Sequence, residues 1–291
     1  MEYGLSTRLF AAERLSSRLL DRIFEAGFRQ IEIFGAPEHL SYRDPNHVKD
    51  AAQWFSDLGV TLHSLHAPLN SEPGSGRRGG FAISVAYTQR RLRIDSMDEI
   101  KRTLEVAERL PFRFLVLHLG LEQDEYDLER FDAAFTSLEH LRIFAKERGV
   151  SLLLENSPGE INTPARLLEF LDYTHLSNVG ICFDVGHAHL AGNVREAFGV
   201  VRGRVTSIHL HDNRGEKDDH LIPFEGSIDW PGLMKDLSAA RSNSNDGLCA
   251  FFELQDHGPN SRSLKRVREV AGKLEGLESQ PSSTLGIGNG E

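Results

Sequence analysis

Cysteine is scarce in this chain. Cys182 and Cys249 are the only two, both inside apolar runs, so they read as small buried hydrophobes and exclude a disulfide framework or a thiolate metal site. No apolar run approaches the ~18 residues of a membrane span, and Met1-Glu2-Tyr3-Gly4 carries neither the basic nor the apolar region of a secretory signal, so the cytosol is the expected compartment. A basic excess is also missing. Lys and Arg number 33 against 43 Asp and Glu, a formal charge of −10, which argues against nucleic acid as a partner because a broad phosphate-gripping face would need the opposite sign. No G-x-G-x-x-G follows the first apolar run, Leu5-Ser6-Thr7, which removes the usual mark of a doubly wound dinucleotide fold. What the chain has in excess is histidine, thirteen in 291 residues.

Eight short apolar, β-branched runs recur along the chain: Tyr3 to Thr7, Gln30 to Phe34, Val60 to His66, Phe114 to Leu119, Ser151 to Asn156, Val179 to Asp184, Val205 to His211 and Cys249 to Gln255. Helical periodicity separates them, most clearly at Leu128 to Arg148, where Leu128, Phe131, Phe135, Leu138, Leu141 and Phe144/Ala145 share one face. Gly27, Gly59 and Gly149 each stop a helix just before a strand. The alternation predicts an α/β chain folded as a single (β/α)8 TIM barrel over residues 1–277. Asn70 to Arg93 reads as a long loop or lid between the third strand and third helix, with Arg77, Arg78, Arg90, Arg91 and Arg93 as candidate phosphate contacts. The Ser/Gly/Pro-rich stretch 278–291 reads as a disordered tail.

In a parallel barrel the strand ends share one mouth. Here His66, His118, Glu155, Asp184, His209 and Glu253 end their apolar runs, His187 follows Asp184, and Asp218 and His220 lie in the loop after His209. So many carboxylates and imidazoles in one cavity would repel or suffer desolvation unless a cation neutralises them. Imidazole with carboxylate suits Zn²⁺ or Mn²⁺ and tolerates Mg²⁺ or Co²⁺. The set is large enough for one to three ions, or for fewer ions with some residues left for acid/base work. His211 shares a face with His209 and reads as its supporting partner or a substrate contact, Glu32 as a sugar contact or the partner of a buried arginine. His63, which alternation places opposite to His66, stays ambiguous with His189, and His39, His47, His140 and His175 read as solvated surface, so His39→Ala should do little.

The motifs AGFRQIEIFG, LHAPL, VLHLG, LLLENSP, FDVGHAH, IHLHDN, DDHL followed by GSIDW, and FFELQ carry a resemblance from about Gly4 to Gln255. In them the chain resembles the xylose-isomerase-like TIM-barrel superfamily, which unites sugar (phosphate) isomerases and epimerases with endonuclease IV. By the epimerase branch, the resemblance implies one divalent ion on Glu155, Asp184, His209 and Glu253, with the two glutamates as catalytic proton carriers and His187 and Arg214 as substrate contacts. By endonuclease IV it implies three sites: His66, His118 and Glu155; Glu155, Asp184, His209 and Glu253; and His187, Asp218 and His220. The chain departs from the nuclease at Gly186, where a cysteine is usual, at His211, where an asparagine is usual, and at FGAPEHL, where its DNA-contacting loop would lie. The expectation is therefore a metal-dependent isomerase or epimerase for a small sugar or sugar phosphate, in carbohydrate metabolism, with an abasic-site endonuclease as the alternative. The resemblance also implies pairing of copies through outer helices.

Overall fold

A computed structural model describes residues 1–72, 80–241, 247–258 and 262–279. Among them, eight parallel strands close into a barrel in chain order. The order is β1 (Glu2–Ser6), α1 (Ser17–Glu25), β2 (Gln30–Phe34), α2 (Pro45–Leu58), β3 (Leu62–His66), α3 (Arg90–Glu105), β4 (Phe112–Leu117) and α4 (Leu128–Lys146). It continues with β5 (Ser151–Glu155), α5 (Pro164–Thr174), β6 (Gly180–Asp184), α6 (Val185–Ala191), α7 (Val194–Val201), β7 (Val205–Leu210), α8 (Trp230–Arg241), β8 (Cys249–Phe252) and α9 (Leu264–Glu278). β1 closes the ring against β8, with Gly4 beside Phe251 and Leu5 beside Phe252.

Both strand faces are buried, as a helix-covered barrel requires. Alternate residues such as Ile33, Leu65, Leu117, Leu154, Phe183 and Leu210 point outward into the layer shared with the helices, while Phe114, Val116, Leu153 and Cys182 form a separate inner cluster. Each such side chain contributes about 1.5–3 kcal/mol on burial. Gly4 is required inside: a Cβ there would sit 2.4 Å from the Phe251 ring. The helix starts follow capping chemistry. Asp127 accepts from the Arg130 amide at 2.7 Å to begin α4, and Asp44 with Pro45 begins α2. In α4 the buried stripe is Phe131, Ala134, Leu138, Leu141 and Ala145; Leu128, expected on it, is exposed in the first turn, where the helix has not yet reached the sheet.

Three expectations need correction. A bulge in β3, where Ile31 pairs with Leu62 and Glu32 with Ser64, inserts one residue, so alternation fails and His63 turns inward, packed on Phe114 and Phe251. His39 and His47 are buried rather than solvated. His47 Nε2 donates to the Leu15 carbonyl at 2.7 Å; the Phe34 amide donates to Thr7 Oγ1 at 2.9 Å, Thr7 to His39 Nε2 at 2.8 Å, and His39 Nδ1 to the Glu13 carbonyl at 2.5 Å. That chain joins the ends of β1 and β2. His39→Ala strands the buried Thr7 hydroxyl and the part-buried Glu13 carbonyl, so thermal unfolding should report a loss of about 2–4 kcal/mol, and a change below about 0.5 kcal/mol would contradict this role. His140 and His175 are exposed.

The base of the long loop is a short ladder in which the Ser71 amide donates to the Phe81 carbonyl and that of Ile83 to Leu69. Arg90, Arg91 and Arg93 belong to α3 instead of a lid; Arg93 donates to the Tyr87 carbonyl at 2.6 Å, whereas Arg77 and Arg78 lie outside the described residues. Of the stretch read as a tail, Glu278 ends α9 and pairs with the Met1 amine at 2.6 Å, and 280–291 lie outside the described residues. No helix among the described residues is long and apolar enough to cross a membrane.

Candidate metal centre

The strand ends on one face of the barrel gather the acidic and imidazole groups at the floor of a cavity of about 280 Å³, lined by His66, His118, His187, Asp218, His220 and Glu253 among others. A larger groove of about 550 Å³ lies outside, along α1 and α2, away from the strand ends. Glu155, at the end of β5 and fully buried, is the hub. His209 Nδ1 lies 2.9 Å from its Oε1; His66 Nε2 and His118 Nε2 lie 2.9 and 3.0 Å from its Oε2. His209 Nδ1 is also 3.9 Å from Asp184 Oδ2 and 3.7 Å from Glu253 Oε2.

The imidazoles are oriented by what their other nitrogen does. His66 Nδ1 donates to the Ala67 carbonyl at 2.7 Å, His187 Nδ1 to that of Asn156 at 3.0 Å and His220 Nδ1 to that of Glu253 at 2.7 Å. His209 instead donates Nε2–H to Glu32 Oε2 at 3.2 Å, and Ser64 donates to the same oxygen at 2.8 Å. Each ring thus turns its remaining nitrogen to the cluster, the arrangement that fixes tautomer and aim in metal-ligating histidines. Among the described residues Glu32 thus pairs with His209 and Ser64 and not with an arginine, and it holds His209 from beneath.

Asp184 plays two parts. Its Oδ1 caps α6 by accepting from the His187 amide at 2.7 Å, while its buried Oδ2 has no hydrogen-bond partner. Asn156 locks its backbone, donating to the Asp184 carbonyl at 2.8 Å and accepting from its amide at 2.9 Å. An orphaned carboxylate oxygen in a dry site is costly unless a cation meets it. Burial would raise the Glu155 pKa, but His209 and then His118 outweigh it and hold the carboxyl well below the usual carboxylate range. Burial likewise opposes charge on His187, yet Asp184 and Asp218 push it up to about 10. Glu155 is thus held ionised although buried, in surroundings where a divalent cation would offer compact positive charge. One donor atom from each member can lie within 4.8 Å of the others in the sets His66, His118 and Glu155; Glu155, Asp184, His209 and Glu253; and His187, His211, Asp218 and His220. The oxygen and nitrogen donors fit an ion of the Zn²⁺ or Mn²⁺ kind.

Two of the expected substrate contacts are placed elsewhere: Glu32 as above, and Arg214, mostly exposed and 3.9 Å from Asp219. His189 contacts Ser227 at 2.9 Å, outside the cluster. Sequence reasoning missed Arg8, which lines the cavity, lies over the Phe34 ring at 5.3 Å and leaves its buried Nε without a partner. No spacing marks it, because it lies past the end of β1 in the 3-10 turn Thr7–Phe10.

The family model described as "Xylose isomerase-like TIM barrel" matches residues 20–272. The chain belongs to that family. Among this family member's relatives, the uncharacterized protein MJ1614 of Methanocaldococcus jannaschii is 30% identical over 240 residues, 81% of this chain and 88% of that one. "Probable endonuclease 4" of Mycobacterium marinum is 26% identical over 244 residues, 78% and 86% of the two chains. Among solved structures, a D-tagatose 3-epimerase-like protein aligns with 25% identity and a TM-score of 0.77, over 96% of this chain and 98% of that one. The surrounding family and the structural neighbours are enzymes, sugar epimerases and isomerases among them.

Proposed function

We propose that this family member is a metal-dependent isomerase or epimerase acting on a sugar or sugar phosphate. One observation carries the reading: Glu155 and Glu253, from strands three apart around the ring, converge with Asp184 and His209 as one buried set under a small cavity. A divalent ion held by those four would supply Lewis acidity, drawing electron density from a sugar carbonyl and acidifying the adjacent C–H. Glu155 and Glu253 reach a bound sugar from different sides, so one takes the proton and the other returns one on the opposite face. His66 and His118 hold Glu155 Oε2 in place by 2.9 and 3.0 Å contacts. Arg8, a cation without an ion pair among the described residues, suits the anionic end of a phosphorylated or acidic sugar.

The test is solvent exchange. In deuterated water the reconstituted protein should incorporate deuterium beside the carbonyl of at least one ketose or ketose phosphate. Arg8→Gln should raise KM for the phosphorylated substrate by about 10- to 100-fold and barely change that for its neutral counterpart; equal effects on both would remove the anion-binding role. A second reading, phosphodiester hydrolysis, is favoured by the grouping of His66, His118, Glu155, Asp184, His187, His209, Asp218, His220 and Glu253 into three adjoining sets. The net charge of −10 weighs against it. Chelator-sensitive cleavage of an abasic-site oligonucleotide, with no exchange into any ketose, would establish that reading in place of the first.

A further inference from the structure

Inside the barrel, an imidazole that belongs to none of the donor sets described above faces Glu32. The bulge in β3 sets both His63 and Ser64 opposite Glu32 of β2, since Ile31 pairs with Leu62 and Glu32 with Ser64. Ser64 donates to Glu32 Oε2 at 2.8 Å, the oxygen that also takes Nε2–H of His209 at 3.2 Å. The other oxygen, Oε1, is buried and has no hydrogen bond among the described residues. The same holds for His63 Nε2, on a ring 9% exposed and packed on Phe114 and Phe251, with centroids 5.2 and 4.8 Å away.

Unpaired polar atoms are costly in a dry interior, and two on facing residues point to a shared partner. Burial pushes the His63 ring down to about 4, so it is neutral, and Glu32 is the strongest influence against that shift. Burial would raise Glu32, but His209 outweighs it and the carboxyl stays ionised. An ionised oxygen accepts only, whereas the nitrogen of a neutral imidazole either donates or accepts according to its tautomer. One water satisfies both atoms, giving one O–H to Oε1 and making its second bond with Nε2.

We propose that His63 is a positioning residue for the metal centre: through one buried water it holds the free oxygen of Glu32 and so fixes the carboxylate that aims His209. A carboxylate gripped at one oxygen still turns about its terminal bond, and Ser64 and His209 both grip Oε2. Held at both oxygens, Glu32 keeps the His209 ring in plane and its Nδ1 on Glu155 Oε1, 2.9 Å away. The role presupposes His209 as a metal ligand, and it holds for sugar isomerisation and phosphodiester hydrolysis alike.

The test titrates metal-stripped full-length protein with Co²⁺ and follows the ions bound per chain and the visible bands. His63→Phe, which keeps a ring and removes the nitrogen, should weaken binding of one ion about tenfold, and His63→Leu should do the same. His63→Gln, which restores a polar end, should recover most of the loss. In a Glu32→Ala background His63→Phe should change binding by less than about twofold, because the link it breaks is already gone. A crystal structure of the stripped protein should show the water between Glu32 Oε1 and His63 Nε2. Folded His63→Phe that binds Co²⁺ like wild type, losses from His63→Phe and Glu32→Ala that multiply, or a crystal structure without that water would each overturn the role. Wild type that takes up no ion would instead remove the metal reading of the centre, and this role with it. In that case wild type and variants behave alike, which separates the two failures.

Discussion

Glu155→Gln should lower kcat by roughly 10²- to 10⁴-fold, with a matching loss of bound metal. The carboxylate meets His209 on one oxygen and both His66 and His118 on the other, and an amide replaces one of those two oxygens with an NH2 that has no lone pair to offer an ion. The substitution also removes the negative charge that a cation and three rings share, in a site without exposure to water. Steady-state exchange kinetics beside metal analysis make the check. A variant that keeps its ion and loses only kcat would mark Glu155 as a proton carrier alone. Retention of both within a few-fold would remove it from the centre.

Asp212→Ala should cost about 3–5 kcal/mol of stability and loosen Asp218 and His220 together. Asp212 is fully buried, with no cation beside it in the ion pairs described. Its Oδ1 accepts from the Asn213 and Ile228 amides at 2.9 and 3.3 Å, its Oδ2 from the Phe224 amide at 2.9 Å and the Trp230 indole at 2.8 Å. Gly226 permits this approach, because a Cβ there would lie 2.2 Å from Asp212 Oδ1. The loop so held contains two non-glycine residues in left-handed backbone, His220 at φ 44° and Phe224 at φ 76°. Each such residue stores on the order of 1–3 kcal/mol of strain, which persists only while its surroundings over-determine it. Thermal unfolding should show the loss, and metal titration should show weaker binding where His220 contributes. Unchanged unfolding would mean that the ladder between Asp212 and Leu221 suffices alone.

Much of the site was legible because a barrel converts chain order into position. His66, Glu155, Asp184 and His209 each end an apolar run, and parallel strands deliver such ends to one mouth whatever their separation in the chain. Periodicity reports a face, however, and not depth. His39 and His47 lie in polar segments that look solvated, yet the chain folds over them and their nitrogens serve carbonyls and a hydroxyl. One inserted residue in β3 reversed the side assigned to His63. Arg8, Asn156 and Asp212 give no pattern of their own, since each acts on groups brought close only by closure of the ring.

The amino-acid order by itself determined the alternating architecture and which acidic and imidazole residues end the strands, since these follow from hydrophobic spacing and from the chemistry of residue types. Tertiary structure alone decided how that membership divides: which nitrogen of each ring faces inward, that Asp184 keeps an unpartnered oxygen, that Glu32 supports His209, and that Gly186 yields its space to His211. Those are matters of ångströms between segments remote in the chain, and only packing in three dimensions sets them.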